Sequence, residues 1–317
     1  MQSQGGDTAK GLDRRTLVRA GTALGAVAIG ARPAAAVASA APRCADRYLG
    51  YRPADERQPY AKYMKDRVDP PQPQVPRALA AAALPSRQVP ERQALSAELH
   101  DPGYAPVETG FGRTRSGEIW VACLTDMPRV APAMWDWWFA WHSYDGARYK
   151  LWHPEAHAYA ALRSDRRADP SLTDRQRYRG NTSYVDEYIG GRLDQLAISF
   201  QDPARYGIDE RRFDGTVICG TVGTALLPVN VGLLVHQVRP TARGAEMRSR
   251  FYLNVPGLRG LDPAGISCAV RRGAVLPRSI TFDLRFGAAL LRHCGEEMNH
   301  LARFLPELHA EFGGSRS

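Results

Sequence analysis

Lysine is nearly missing from this chain of 317 residues: Lys10, Lys62, Lys65 and Lys150 stand against thirty-eight arginines. The formal net charge of +9 is therefore carried by arginine scattered along the whole length. That reads as a compositional bias toward Arg and Ala and argues against the clustered basic face of a nucleic-acid binder. No apolar run reaches the roughly 18–20 residues needed to span a bilayer, so no stable membrane anchor is expected. No C-x-x-C pair occurs. The five cysteines (Cys44, Cys123, Cys219, Cys268, Cys294) are odd in number and widely spaced, which disfavours a disulfide framework and a cysteine zinc site alike. No internal repeat is visible. What remains, 44% hydrophobic and 24% charged residues, is the make-up of a globular enzyme with one large or two small domains.

The first forty residues read as an address. Asp13-Arg14-Arg15-Thr16-Leu17-Val18-Arg19 is a twin-arginine pair followed by apolar residues and a third base. Ala20 to Ala31 is short and weakly apolar, and Ala36-Val37-Ala38-Ser39-Ala40 offers small residues for a peptidase. This order is that of a secretory leader, and the arginine pair makes it resemble a twin-arginine signal. The expectation is export through the twin-arginine machinery, with cleavage after Ala40; without a working leader the protein would stay cytoplasmic. Residues 41–115 are rich in Pro, Ala, Arg and Gln, with a linker-like stretch at Pro70–Pro76 and a short helix expected from Ala78 to Leu84. They read as an N-terminal arm or small subdomain laid over a larger domain at 116–312, with a tail at 313–317.

In the larger domain Met134 to His142 holds four tryptophans. Arg148-Tyr149-Lys150-Leu151-Trp152 alternates like a strand. Antiparallel strands are expected over Thr182–Ile189, Leu193–Phe200, Gly215–Leu227, Val231–Val238 and Ala245–Leu253, with turn residues between them. A final long helix runs from about Leu284 to Leu305 and stops at Pro306. Several strands followed by one long helix indicate an α+β fold in which the helix covers one face of the sheet.

That last helix carries the most informative spacing. At about 100° per residue, Phe286, Leu290, Leu301 and Phe304 fall in one arc, while Arg292, Glu296, Asn299 and Arg303 face the other way. His293 and Glu297 lie inside the apolar arc. A buried carboxylate without a partner costs several kcal/mol or takes up a proton. A His and a Glu one turn apart can hold one metal ion from a single helix face; the alternative is a His–Glu hydrogen bond satisfied within the core. His300, at the edge of the arc, reads as a rim or surface residue. Further ligands would come from the sheet: His153 and His157 around Pro154-Glu155-Ala156, and Glu187, turned inward by alternation if Asp186 faces out.

Taken together, Trp137-Trp138-Phe139-Ala140-Trp141-His142, Arg148-Tyr149-Lys150-Leu151-Trp152-His153-Pro154-Glu155-Ala156-His157, the inward Glu187 and His293-x-x-x-Glu297 resemble the 2,4-diacetylphloroglucinol hydrolase and phloretin hydrolase family, from about Arg113 to Phe312. The resemblance implies a START-like helix-grip fold and a Zn²⁺ ion held by His157, Glu187, His293 and Glu297. It implies Tyr149 and Tyr252 as tyrosines that hold the substrate. The family pattern places an Asn three residues after the first His ligand, and Ala160 departs from it. The implied chemistry is hydrolysis, by a zinc-bound water, of the bond between a polyhydroxylated ring and its acyl group, an acylphloroglucinol-type substrate. Glu187, Glu297 or His236 would relay the proton. Trp152 and its neighbouring tryptophans would line an aromatic pocket or simply pack the core. Two other readings stay open: a non-haem Fe(II) oxygenase acting on an aromatic compound, and a non-enzymatic helix-grip binder of hydrophobic ligands. Self-association into a homo-oligomer is open as well.

Overall fold

The computed structural model describes residues 44–275 and 281–314. The expected leader, its cleavage site and the end of the tail lie outside the described residues. Eight strands form one antiparallel sheet: β1 (Gly110–Arg113), β2 (Ile119–Pro128), β3 (His157–Leu162), β4 (Thr182–Ile189), β5 (Arg192–Gln201), β6 (Thr216–Thr224), β7 (Val229–Thr241) and β8 (Gly244–Leu258). Their order is β1-β2-β8-β7-β6-β5-β4-β3, so β1 and β3 are the two edges. The helices are α1 (Gln74–Ala80), α2 (Leu95–His100), α3 (Pro132–His142), α4 (Gly146–Lys150), α5 (Asp174–Tyr178), α6 (Pro263–Arg271), α7 (Leu284–Ala302) and α8 (Leu305–Phe312). The long helix α7 packs across β1 and β2 and also meets β4 near the far edge. The sheet thus wraps this helix, the α+β helix-grip arrangement expected. Among the described residues no helix is long and apolar enough to cross a membrane.

Both faces of the sheet are covered. The inner face packs against α7 and the tryptophan-rich α3 through residues such as Val121, Phe251, Leu291 and Met298. On the outer face Val89, Leu95 and Leu99 of the arm cover Trp120, Val235 and Tyr252, and Ala269 of α6 lies with Tyr159, Tyr184 and Ala197. The arm is also pinned by charge. Arg248 and Arg250 of β8 are fully buried on the outer face and bind Glu98 and Glu108. At Gly295 of α7 the Val75 side chain of α1 packs so close that a Cβ would lie 2.7 Å from its Cγ2.

Several local expectations need correction. Arg148–Trp152 is a helix and turn rather than a strand, because the Asp145 side chain caps α4 by accepting from Arg148 N at 2.9 Å. The arm's helix is displaced to Gln74–Ala80 and includes part of the linker-like stretch; Leu84 instead bridges Gly112. The sheet begins at Gly110, inside the segment assigned to the arm. Pro306 does not simply end α7: the helix stops at Ala302 and Pro306 sits in the first turn of α8, where its missing N–H is harmless. His300 is buried rather than on the rim, with Nδ1 3.0 Å from Asp69 Oδ2 of the arm. Cys44 and Cys268 form a disulfide across 224 residues of sequence, a link that wide spacing had counted against.

Candidate metal and active site

Helix α7 is capped by Asp283, whose carboxylate accepts from Phe286 N at 2.9 Å. From that start, His293 and Glu297 come round onto the buried face, 6% and 8% exposed, as the wheel requires. Strand β4 turns Glu187 inward and Asp186 outward, where Arg272 holds Asp186. Strand β3 opens with a bulge: His157 pairs with Glu187 and Tyr159 with Asp186, leaving Ala158 extra. Simple alternation would set His157 and Tyr159 on one face. The bulge instead sends Tyr159 outward with α6 and points His157 and Ala160 inward.

Three of these side chains, His157, His293 and Glu297, bring ligand atoms within 4.8 Å of one another. Glu297 Oε2 lies 3.4 Å from His157 Nε2 and 3.7 Å from His293 Nε2. Glu187 Oε2 is 3.7 Å from His157 Nε2 and accepts the Tyr149 hydroxyl at 2.5 Å. The Tyr149 ring stacks flat on His157, centroids 3.7 Å apart. His157 Nδ1 lies 2.9 Å from the Tyr149 carbonyl, a bond in which only the ring nitrogen can donate. Nε2 is then the bare nitrogen, buried, without a hydrogen-bond partner and facing both carboxylates. An orphaned lone pair beside two buried carboxylates is the donor set a divalent cation needs.

The electrostatics agree. Burial raises Glu187 to about 7, although the Tyr149 hydrogen bond pulls the other way. Burial raises Glu297 further, helped by the charge of Glu187. Burial pushes His157 and His293 well below the usual histidine range, and the neighbouring imidazoles add to it. Each group is thus disfavoured in its charged form, and a cation would reverse the carboxylate shifts. The residues present could therefore hold a metal ion.

The surroundings are aromatic. Trp152 meets His157 edge-on at 5.8 Å and packs with Trp138 and Phe139. His153, a candidate ligand in the sequence beside His157, stacks on His293 at 4.9 Å, with Nε2 3.5 Å from Glu296. His236 of β7 is also inward and buried, held to about 3 by burial. Its Nδ1 is 2.9 Å from Ser249 Oγ, and its ring lies against Phe139 and Phe251. Tyr252 is not brought to this site. It sits on the outer face among Trp120 and Leu95, with its hydroxyl 3.5 Å from the Pro90 carbonyl. Phe251, one residue earlier, takes the inward position.

Comparison with known proteins places this geometry. Residues 93–310 match the model of the DAPG hydrolase PhiG domain. The chain is 31% identical to 2,4-diacetylphloroglucinol hydrolase of Pseudomonas protegens over 286 residues, 84% of this chain and 88% of the relative. It is 32% identical to phloretin hydrolase of Eubacterium ramulus over 214 residues, 67% of this chain and 74% of that one. Among solved structures a Thalictrum norcoclaurine synthase aligns over 62% of this chain and 99% of its own at 11% identity, with a TM-score of 0.31, too low to weigh. The match over the whole sheet and over helix α7, which together carry the buried His/Glu cluster, means that this chain is a member of the 2,4-diacetylphloroglucinol hydrolase family of hydrolases.

Proposed function

We propose that this protein is a zinc-dependent hydrolase that cleaves the carbon–carbon bond between a polyhydroxylated aromatic ring and its acyl group. The observation that carries this reading is His157 Nε2, buried and unpartnered, aimed between Glu187 and Glu297 with His293 beside it. His157, His293, Glu297 and Glu187 would hold the ion. Zn²⁺ bound there would supply Lewis acidity and a water made acidic enough to ionise near neutral pH.

The protein's own groups do the rest. Tyr149 offers a hydroxyl already aligned on Glu187 Oε2, so the pair can hold a proton at that hydrogen bond and orient an acyl oxygen beside it. Water adds to the acyl carbon, the bond to the ring breaks, and the ring carbon takes a proton. The products are the free carboxylic acid and the deacylated phenol. Ring hydroxyls beside the acyl group are required of the substrate because they delocalise the departing electron pair. Trp152, Trp138 and Phe139, packed on one another beside His157, would exclude bulk water and give the site an aromatic wall. His236, neutral and engaged with Ser249, is the more remote candidate for the proton relay.

The test is direct. Purified protein should contain about one zinc per chain and release carboxylic acid from acylphloroglucinols without consuming O₂. Iron content with oxygen uptake would transfer the site to the oxygenase reading. Tight aromatic binding without metal or turnover would make it a binder. The leader reading extends to location: we propose export by the twin-arginine route. The Cys44–Cys268 disulfide supports it, since such bonds persist in oxidising compartments.

A further inference from the structure

The arm meets the site from behind at an unusual contact. Lys150, one of four lysines in the chain, is fully buried, and its ammonium has no hydrogen-bond partner. It lies instead 3.0 Å from the centroid of the Tyr48 ring. Arg52 places its guanidinium 3.7 Å from the same ring, and both oxygens of Asp55 accept the Tyr48 hydroxyl at 2.9 Å. The charged groups that face Lys150 are therefore Arg52 and Asp55 from the arm and Asp145 from the cap of α4. Burying an ammonium is costly, and an apolar side chain would fill this place at less cost. A cation over an aromatic face gives in return a contact of fixed distance and direction.

That contact sits behind the reacting groups. Lys150 follows Tyr149 on α4. Tyr48 N donates to the carbonyl of Ala158, the bulge residue after His157, at 3.1 Å, and Gly50 N donates to the Pro154 carbonyl at 3.4 Å. Four residues before Tyr48, Cys44 is bonded to Cys268 at the end of α6. The segment 44–55 is thus tied at its start by a disulfide, in its middle by backbone hydrogen bonds to Pro154 and to Ala158 on either side of His157, and through one ring to the helix that carries Tyr149.

We propose that this segment is a splint for the active site, and that Tyr48 and Lys150 are positioning residues that hold Tyr149 on Glu187 and aim His157 Nε2 at the ligand cluster. The inference rests on the metal-site reading above for its catalytic meaning, but not for its mechanical one. Burial lowers Lys150 to about 8, in keeping with a cation held where solvent cannot help it.

Three variants test it. Lys150→Met relieves the buried charge, so its Tm should rise. At the same time zinc release into a chelator should become about tenfold faster, as for other residues that orient metal ligands. Amide hydrogen exchange over residues 146–158 should increase as well. Lys150→Arg, which keeps a cation for the ring, should restore slow release. The double variant Cys44→Ser/Cys268→Ser should loosen the same amides while lowering Tm, and it carries the test if Lys150→Met does not fold. A role in packing alone predicts the opposite coupling, with release quickening in Lys150→Met only if its Tm falls. Wild-type release and wild-type exchange over 146–158 in Lys150→Met, or in the double variant if that one must stand in, would overturn the splint. If the wild-type chain takes up no zinc and cleaves no acylphenol, the proposed function fails instead, and the exchange measurement still decides the splint.

Discussion

The side chains of the cluster depend on one another more than on the scaffold. His157 Nε2 lacks a partner, Glu297 lies between two imidazoles, and Glu187 is shared with Tyr149. Replacing His293 or Glu297 with Ala should abolish metal binding and turnover together, checked by elemental analysis and an acid-release assay; full metal content in either variant would reject the ligand assignment. Tyr149→Phe removes a donor but leaves the nitrogen and oxygen ligands in place, so metal content should persist while kcat falls by about two orders of magnitude, the usual scale for a positioned proton-handling group. The inward turn of His293 and Glu297 could be read from the sequence because both positions interrupt an apolar arc. Tyr252 was assigned to the site by the family resemblance alone. Alternation along β8 sets it on the face of Glu246, Arg248 and Arg250, opposite Met247 and Phe251, and that is where it lies. His153 and His157 both stand out as candidate ligands in the sequence, and only the family pattern chooses His157 between them. The bulge at Ala158 breaks the period of two on which counting along a strand relies.

Among the elements, strands were easiest to see where β-branched and aromatic residues run together between turn residues. The expected Thr182–Ile189 is β4 to the residue. Short helices such as α4 escaped because five residues cannot show a period of 3.6. The ion cluster that fastens the arm to β8 gives a pH test. Burial alone would raise Glu108, but hydrogen bonds from Arg248 and the charge of Arg250 hold it at about 2. A carboxylate depressed in the folded state adds stability that is full above its unfolded value of 4.5 and is lost as pH falls from there toward 2. Glu108→Gln should therefore lower unfolding stability at pH 7 by about 3 kcal/mol. The gap from wild type should close near pH 2, as read by urea denaturation. A second contact of the arm is steric. Gly295→Val would drive methyl groups into Val75 and Pro71, and overpacking of this kind costs about 1–3 kcal/mol; an unchanged urea midpoint would show that α1 can move aside freely.

For the molecule as a whole, the architecture followed from element order, while the role of the arm did not. Its Pro- and Ala-rich composition reads as a linker, yet Tyr60, Val75, Leu95 and Leu99 are core residues. What fixes it, a disulfide and buried arginines on a distant strand, lies too far away in sequence to be seen there. Location belongs at this scale too. Replacing Arg14 and Arg15 with Lys should hold the precursor inside the cell with Cys44 and Cys268 as free thiols, measured by fractionation and thiol labelling; normal export would point to another route.

Strand β3, which carries His157, forms one rim of an open sheet, where unused backbone groups invite a foreign strand to pair. The carbonyl of Ala158 on that rim is already taken by Tyr48 N. A chain clipped before residue 60 would thus do more than lose a support: it would leave that carbonyl without its donor beside its most valuable histidine, while Gly146 of α4 still lies against the backbone of Ala158, Tyr159 and Ala160. The same few residues that steady the chemistry therefore also finish the rim of the sheet.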